Sequence, residues 1–183
     1  MADLLLGQVL LDKGHASEAI PHLRRAIDKK VRPETAAIDL VRALATAGQR
    51  EEASALLAQL TPPPDVTPDT LVILGTIGLD LQQPADAVRF LEAAAARTPA
   101  DPTVIEKLAI ALSVSGDRRG AVNALEKALR LAPDMPSLHL NLAVTYAQIG
   151  RIDDARREAL EALRLRSDYP QARGLLARLS RAR

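Results

Sequence analysis

The chain has 183 residues, 48% of them apolar and 26% charged, so it can bury a sizeable core and disorder is not the starting expectation. It has no cysteine, which excludes a disulfide framework and a thiolate metal centre, and its formal net charge of +1 gives no overall pull toward nucleic acid or an anionic membrane. Ala and Leu dominate the apolar residues and only Phe90, Tyr146 and Tyr169 are aromatic, so the secondary structure is predicted to be all helical.

The first predicted helix holds Leu4, Leu5, Leu6, Val9, Leu10 and Leu11, which leaves it almost no polar face. This run is too short to cross a bilayer and is flanked by Asp3 and Asp12. No basic-then-apolar leader precedes it, so a cytoplasmic protein without a membrane span is expected, with a periplasmic location as the alternative should the chain be a fragment. Leu6 and Leu10 are expected to face inward, with Leu4, Leu5, Val9 and Leu11 left around the helix. Something should therefore cover it: further repeats upstream, which is the favoured reading, a second copy of the chain, or another domain. A turn at Gly14 leads to a second helix carrying Ala19, Leu23 and Ala26.

The same succession then returns with a step of 34 residues. Pro68, Pro102, Pro136 and Pro170 keep that step, as do Leu6, Leu40, Leu74, Leu108 and Leu142. So do Gly7, Val41, Gly75, Ala109 and Ala143, and then Gly14, Gly48, Gln82, Gly116 and Gly150. In the second half of each unit Ala19, Ala53, Ala87, Ala121 and Ala155 recur, followed by Leu23, Leu57, Leu91, Leu125 and Ala159. Five helix pairs are thus expected over 1–33, 34–67, 68–101, 102–135 and 136–169, with a capping helix over 170–183. That helix would turn Leu175, Leu176 and Leu179 inward and Arg173, Arg178, Arg181 and Arg183 to solvent. A unit of this size cannot bury its apolar face alone, so residues 1–183 are expected to form one domain.

Local signals fit the pairs. Small residues such as Gly75 and Ala109 fall where two helices cross closely. Asp101-Pro102 and Thr67-Pro68 read as an N-cap followed by proline at the first helical position, and Gln83-Pro84 starts a second-type helix in the same way. The run from Leu60 to Pro68, with three consecutive prolines, should end its helix about a turn early and act as a rigid joint.

These residues resemble the pattern of the tetratricopeptide repeat family across essentially the whole chain. The likeness lies in a leucine followed by a small residue, a glycine between helices, spaced alanines and a late proline, as in Asn141-Leu142-Ala143 through Ala162. The sequence departs from the pattern in its aromatics, because Leu10, Leu44, Gly78 and Leu112 fill a bulky slot that only Tyr146 keeps. The resemblance implies an all-α fold of about eleven helices, a right-handed superhelical solenoid of antiparallel helix pairs.

Nothing in the sequence assembles a reactive centre, and no cofactor or metal is expected. His15, His22 and His139 belong to no metal-spaced cluster. Glu51-Glu52 and Asp153-Asp154 fall at the starts of second helices, where the helix dipole favours carboxylates. With three aromatics and a near-neutral charge the repeats lack the stacking surfaces that single-stranded nucleic acid needs, so no nucleic-acid partner is expected. The Arg-heavy, Ala-rich usage points to a GC-rich bacterial source.

The resemblance implies that the first helices line a concave face on which a protein or peptide binds. Carried onto this sequence, that groove consists of Leu5, Gln8, Asp39, Arg42, Ile73, Thr76, Lys107, Ile110, Asn141, Val144 and Gln148. The mixture of apolar anchors with single donors suits an extended or helical segment and not a carboxylate clamp. The reading is a non-catalytic interaction or scaffolding module. The alternative is a regulatory or substrate-presenting segment of a larger multidomain enzyme.

Overall fold

The computed structural model describes residues 1–181, so Arg183 of the expected capping helix lies outside the described residues. Eleven α-helices and no strand are found among the described residues. They are α1 (Ala2–Asp12), α2 (Ala16–Asp28), α3 (Pro33–Thr46), α4 (Arg50–Gln59), α5 (Pro68–Asp80), α6 (Pro84–Arg97), α7 (Pro102–Ser115), α8 (Arg118–Leu131), α9 (Pro136–Gln148), α10 (Ile152–Leu165) and α11 (Pro170–Arg181). The fold is a solenoid of antiparallel helix pairs. The chain divides into two compact units, Met1–Ala93 and the part from Ala94 onward.

In the first unit, Leu4, Ala19, Ile20, Leu23, Ala26, Ala36, Leu40, Ala43 and Leu44 share one core, drawn from α1, α2 and α3. Small residues set the spacing of the pairs. A Cβ added to Gly7 would lie 2.6 Å from Leu23 Cδ2, and one on Gly75 would lie 2.5 Å from Leu91 Cγ, so these helices approach as only glycine permits. The proline run has the predicted effect, for α4 ends at Gln59 and is 10 residues long. The end of α4 is met by side chains from the next pair: Arg89 donates to the Leu57 carbonyl (3.2 Å) and Gln83 Nε2 to the Ser54 carbonyl (3.2 Å).

In the second unit, Ile105, Ala109, Leu125, Ala128, Leu138, Leu142, Ala143, Tyr146, Ala155, Ala159, Leu175 and Leu179 form the core. The Asp101 carboxylate accepts from the Thr103 and Val104 amides at 2.8 and 3.3 Å, the N-cap read from the sequence. In the first unit Thr67 Oγ1 likewise accepts from the Thr70 amide at 3.3 Å. Helix α11 closes the second unit with Ala172, Leu175 and Leu179 buried and Leu176 half-buried, and Arg156 donates to the Leu179 carbonyl at 2.7 Å.

One expectation is corrected in α1. Leu6 is exposed and Leu4 is buried, so the inward side is Leu4 with Gly7, while Leu10 and Leu11 are half-buried. The position that Leu6 shares with Leu40 and Leu142 meets a preceding helix in those repeats, and no described helix lies there for α1.

Candidate functional site

The candidate groove residues sit on the first helices of the pairs. In the first unit, Leu5 is exposed on α1, Ile73 is exposed on α5, and Gln8, Arg42 and Thr76 are half-buried. The structure joins three of them. Gln8 Nε2 donates to Asp39 Oδ2 at 2.9 Å across α1 and α3, and Arg42 donates to Asp39 Oδ1 at 3.1 Å. Asp39 is only 5% exposed and each of its oxygens accepts one of these bonds, so it fixes the orientation of the two donors. Thr76 Oγ1 donates to the Val72 carbonyl one turn back at 2.8 Å.

In the second unit, Ile110, Asn141, Val144 and Gln148 come together around a cavity of about 160 Å³ between α7 and α9, with Ala109, Ser113, Val114, Leu125 and Thr145 completing its wall. Its floor is aliphatic. Its rim carries a linked pair, since Ser113 Oγ donates to Gln148 Oε1 at 2.8 Å and leaves the Gln148 NH₂ group directed elsewhere. Asn141 Nδ2 donates to Glu106 Oε1 at 2.8 Å, so the Asn141 carbonyl remains able to accept. Lys107 is half-buried on α7 with no hydrogen bond or ion pair among the described residues.

Glu106 was missed by sequence reasoning. It is 9% exposed and fixes the Asn141 amide. The signal was present, because the same repeat position holds Leu4, Ile38, Val72 and Leu140, and an acid in an otherwise aliphatic column requires a buried partner.

A wider depression of about 770 Å³ lies against α10, lined by His139, Leu160 and the charged residues Asp153, Arg156, Arg157, Glu158, Glu161 and Arg164. Its guanidiniums are already occupied: Arg156 with Asp153 (3.0 Å), Arg157 with Asp154, and Arg164 with Glu161 (2.7 Å). Size alone therefore does not make it the better site. The histidines are also engaged, His15 with Glu18 (2.7 Å), His22 beside Asp3 (3.5 Å) and His139 with Glu158 (2.8 Å). Tyr146 donates to Glu126 at 3.0 Å beneath the Arg151 guanidinium, and burial, then that hydrogen bond, push its hydroxyl up from the ordinary tyrosine value. No described helix is long and apolar enough to cross a membrane.

Helix pairs repeating every 34 residues, each offering one mixed apolar and polar helix face, define a helical-repeat scaffold. The tetratricopeptide repeat model matches residues 10–67 and 114–179, more than half of the chain, and the chain belongs to that family. It is accordingly a protein–protein interaction module of a kind that is generally non-catalytic. Among solved structures it is similar to YrrB, described as a TPR protein with an unusual peptide-binding site, with 18% identity, a TM-score of 0.78, and coverage of 93% of this chain and 88% of that one. It is also similar to MamA AMB-1, with 25% identity, a TM-score of 0.72 and 92% of each chain covered. For MamA from Desulfovibrio magneticus RS-1 the identity is 21% and the TM-score 0.70, with 91% and 95% covered. No protein of curated function matches the sequence.

Proposed function

We propose that this chain is a non-catalytic scaffold that holds a segment of another protein on the exposed side of its first helices. The observation that carries the reading is the aliphatic cavity between α7 and α9, where Ile110 and Val144 stand beside the Gln148 amide donors and the Asn141 carbonyl acceptor. Such a site suits one apolar side chain of the bound segment, with its neighbouring peptide group hydrogen-bonded on either side. No charged group lines this cavity, which favours a neutral, aliphatic segment over an acidic tail. YrrB, a structural relative, is described as having a peptide-binding site, and this supports the same reading here. The unbroken 34-residue step supports treating the five repeats as one functional array.

Selection from a displayed peptide library tests this. Peptides captured by the wild type should share an aliphatic anchor and lose at least tenfold in affinity to Ile110→Glu. Lys127→Glu with Arg130→Glu, at exposed positions on α8, should bind as well as wild type. Equal loss in both variants, or none in Ile110→Glu, would remove the groove from consideration.

A further inference from the structure

Among the described residues two carboxylates are buried on the first helices of the pairs, and they are completed differently. Asp39, in the first unit, accepts an amide hydrogen bond from Gln8 on a neighbouring first helix and one from the Arg42 guanidinium at 3.1 Å. Glu106, in the second unit, is 9% exposed and also accepts an amide bond from a neighbouring first helix, that of Asn141 at 2.8 Å. No cation of the described residues pairs with it. The repeat position of Arg42 is held in α7 by Ile110. Lys107 makes no ion pair, and Arg166, over the Tyr169 ring at 4.9 Å, donates to the Asp168 carbonyl at 3.1 Å. A neutral amide satisfies one lone pair of Glu106 but leaves its charge uncompensated where desolvation makes a charge costly.

The second oxygen of Glu106 remains accessible. The described side-chain atoms sealed from solvent without a partner are Gln83 Oε1 and Arg89 Nε, both in the first unit. Glu106 Oε2 is not one of them and has no donor, so it opens to solvent. It does so beside the groove cavity, because Asn141, which holds Oε1, is part of the cavity wall. The Glu106 charge is felt nearby: the Tyr169 hydroxyl is pushed up first by burial, pulled down by Arg166 and pushed up again by Glu106.

We infer that Glu106 determines the specificity of the groove by taking a lysine or arginine of the bound segment, two positions from the aliphatic side chain in the cavity. This rests on the groove reading above and deepens it: the segment is neutral where it enters the cavity and basic beside it. The spacing follows from the helices. Asn141 and Gln148 flank Val144 along α9, so a segment bonded to both runs along the helices, and its free peptide groups make it extended. Glu106 precedes Ile110 by one turn, about 6 Å along α7. Side chains two positions apart on an extended segment share one side at about 6.6 Å. A basic side chain there supplies the cation that Arg42 gives to Asp39, whereas an acidic one is repelled.

A displayed library of random peptides supplies the probe. Selection on the wild type should enrich peptides with Lys or Arg two positions from the aliphatic anchor. Replacing that basic residue by Gln in a selected peptide should weaken binding to the wild type at least tenfold, measured by fluorescence anisotropy. Glu106→Gln keeps an acceptor for Asn141 and removes the charge. It should bind the basic peptide and its Gln counterpart with equal affinity and show unchanged helical circular dichroism. Ile110→Gln, which spoils the cavity without adding charge, should weaken both peptides. A selection that yields no peptide with a basic residue at that spacing overturns the inference, as does a difference between the two peptides that persists on Glu106→Gln. Should Glu106→Gln fail to fold, the comparison of the two peptides on the wild type decides alone, and equal affinity there overturns the inference. If peptides are lost to Ile110→Gln in any of these cases, the groove reading stands and only the role of Glu106 falls. Peptides indifferent to Ile110→Gln remove the groove itself.

Discussion

His139 and Glu158 stand at the same repeat positions as Asp3 and His22, four repeats away, with acid and imidazole exchanged. In each case the first-helix side chain reaches the second helix of its own pair, at 2.8 Å for His139 Nδ1 to Glu158 and 3.5 Å for Asp3 to His22. The third repeat fills these two positions with Leu71 and Phe90, both fully buried. One contact site of the helix pair thus accepts either an apolar couple or a charged one of either polarity, provided both members change together.

That interchange predicts a strong non-additivity. His139→Leu leaves Glu158 without its 2.8 Å partner, and Glu158→Phe leaves Nδ1 of a largely buried ring unpaired. Each single change should cost about 1–3 kcal/mol of stability. The double variant rebuilds the Leu71 and Phe90 couple and should recover most of the loss, as the hydrophobic replacement of a buried pair often does. Urea denaturation of the four proteins measures the coupling, and strictly additive losses would show that the two positions act independently.

A second exchange concerns the crossing of helices. Gly75 faces Leu91, Gly7 faces Leu23, and the fifth repeat has Ala143 and Ala159 at those positions. Gly75→Ala alone drives a Cβ to 2.5 Å from Leu91 Cγ and should destabilise by about 1–3 kcal/mol despite the better helix propensity of alanine. Adding Leu91→Ala reproduces the fifth-repeat pair and relieves that clash, so its cost should fall below the sum of the two single changes. Thermal melts of the single and double variants check this. A Gly75→Ala protein as stable as wild type would mean that the α5 and α6 axes separate at no cost.

Gln82 supplies a stabilising change. Gly14, Gly48, Gly116 and Gly150 turn between the helices of their pairs at φ of +77 to +98°, and Gln82 holds the same position at +61° with a side chain. Gln82→Gly removes that backbone strain and should raise stability by up to about 1 kcal/mol, seen as a higher denaturation midpoint. An unchanged or lower midpoint would mean that the entropy glycine adds to the unfolded chain outweighs the strain.

The architecture was legible because its information is local and repeated. A 34-residue step placed the helix starts at Pro68, Pro102, Pro136 and Pro170, and the proline run correctly shortened α4. What stayed hidden was pairing across helices. Gln8 with Asp39 and Asn141 with Glu106 are joined by side chains from successive first helices, and their partnership depends on crossing distance and rotamer. Arg42 and Asn141 therefore looked like free donors, although Asp39 and Glu106 already hold them. The orientation of Leu6 was misjudged for a related reason: its repeat position is inward only where another helix precedes it.

Asp3 gives the prediction that depends on pH. Its carboxylate accepts from Lys29 at 2.7 Å and Arg25 at 3.1 Å, with His22 beside it, tying α1 to α2. Those hydrogen bonds, Lys29 first and Arg25 next, hold the carboxyl well below the ordinary aspartate range, against an opposing effect of desolvation. The folded protein therefore binds this proton less readily than the unfolded chain does. The contribution of Asp3 to stability is fully present above the unfolded value near 4 and disappears as pH falls through the depressed folded one. Asp3→Asn keeps the shape and a hydrogen-bond acceptor but removes the charge. It should be less stable than wild type at neutral pH, and the gap should narrow steadily as the solution is acidified below about pH 4. Denaturation midpoints followed from pH 7 to pH 2 provide the measurement. A gap that stays constant over that range would assign the loss to hydrogen-bond geometry and not to the carboxylate charge.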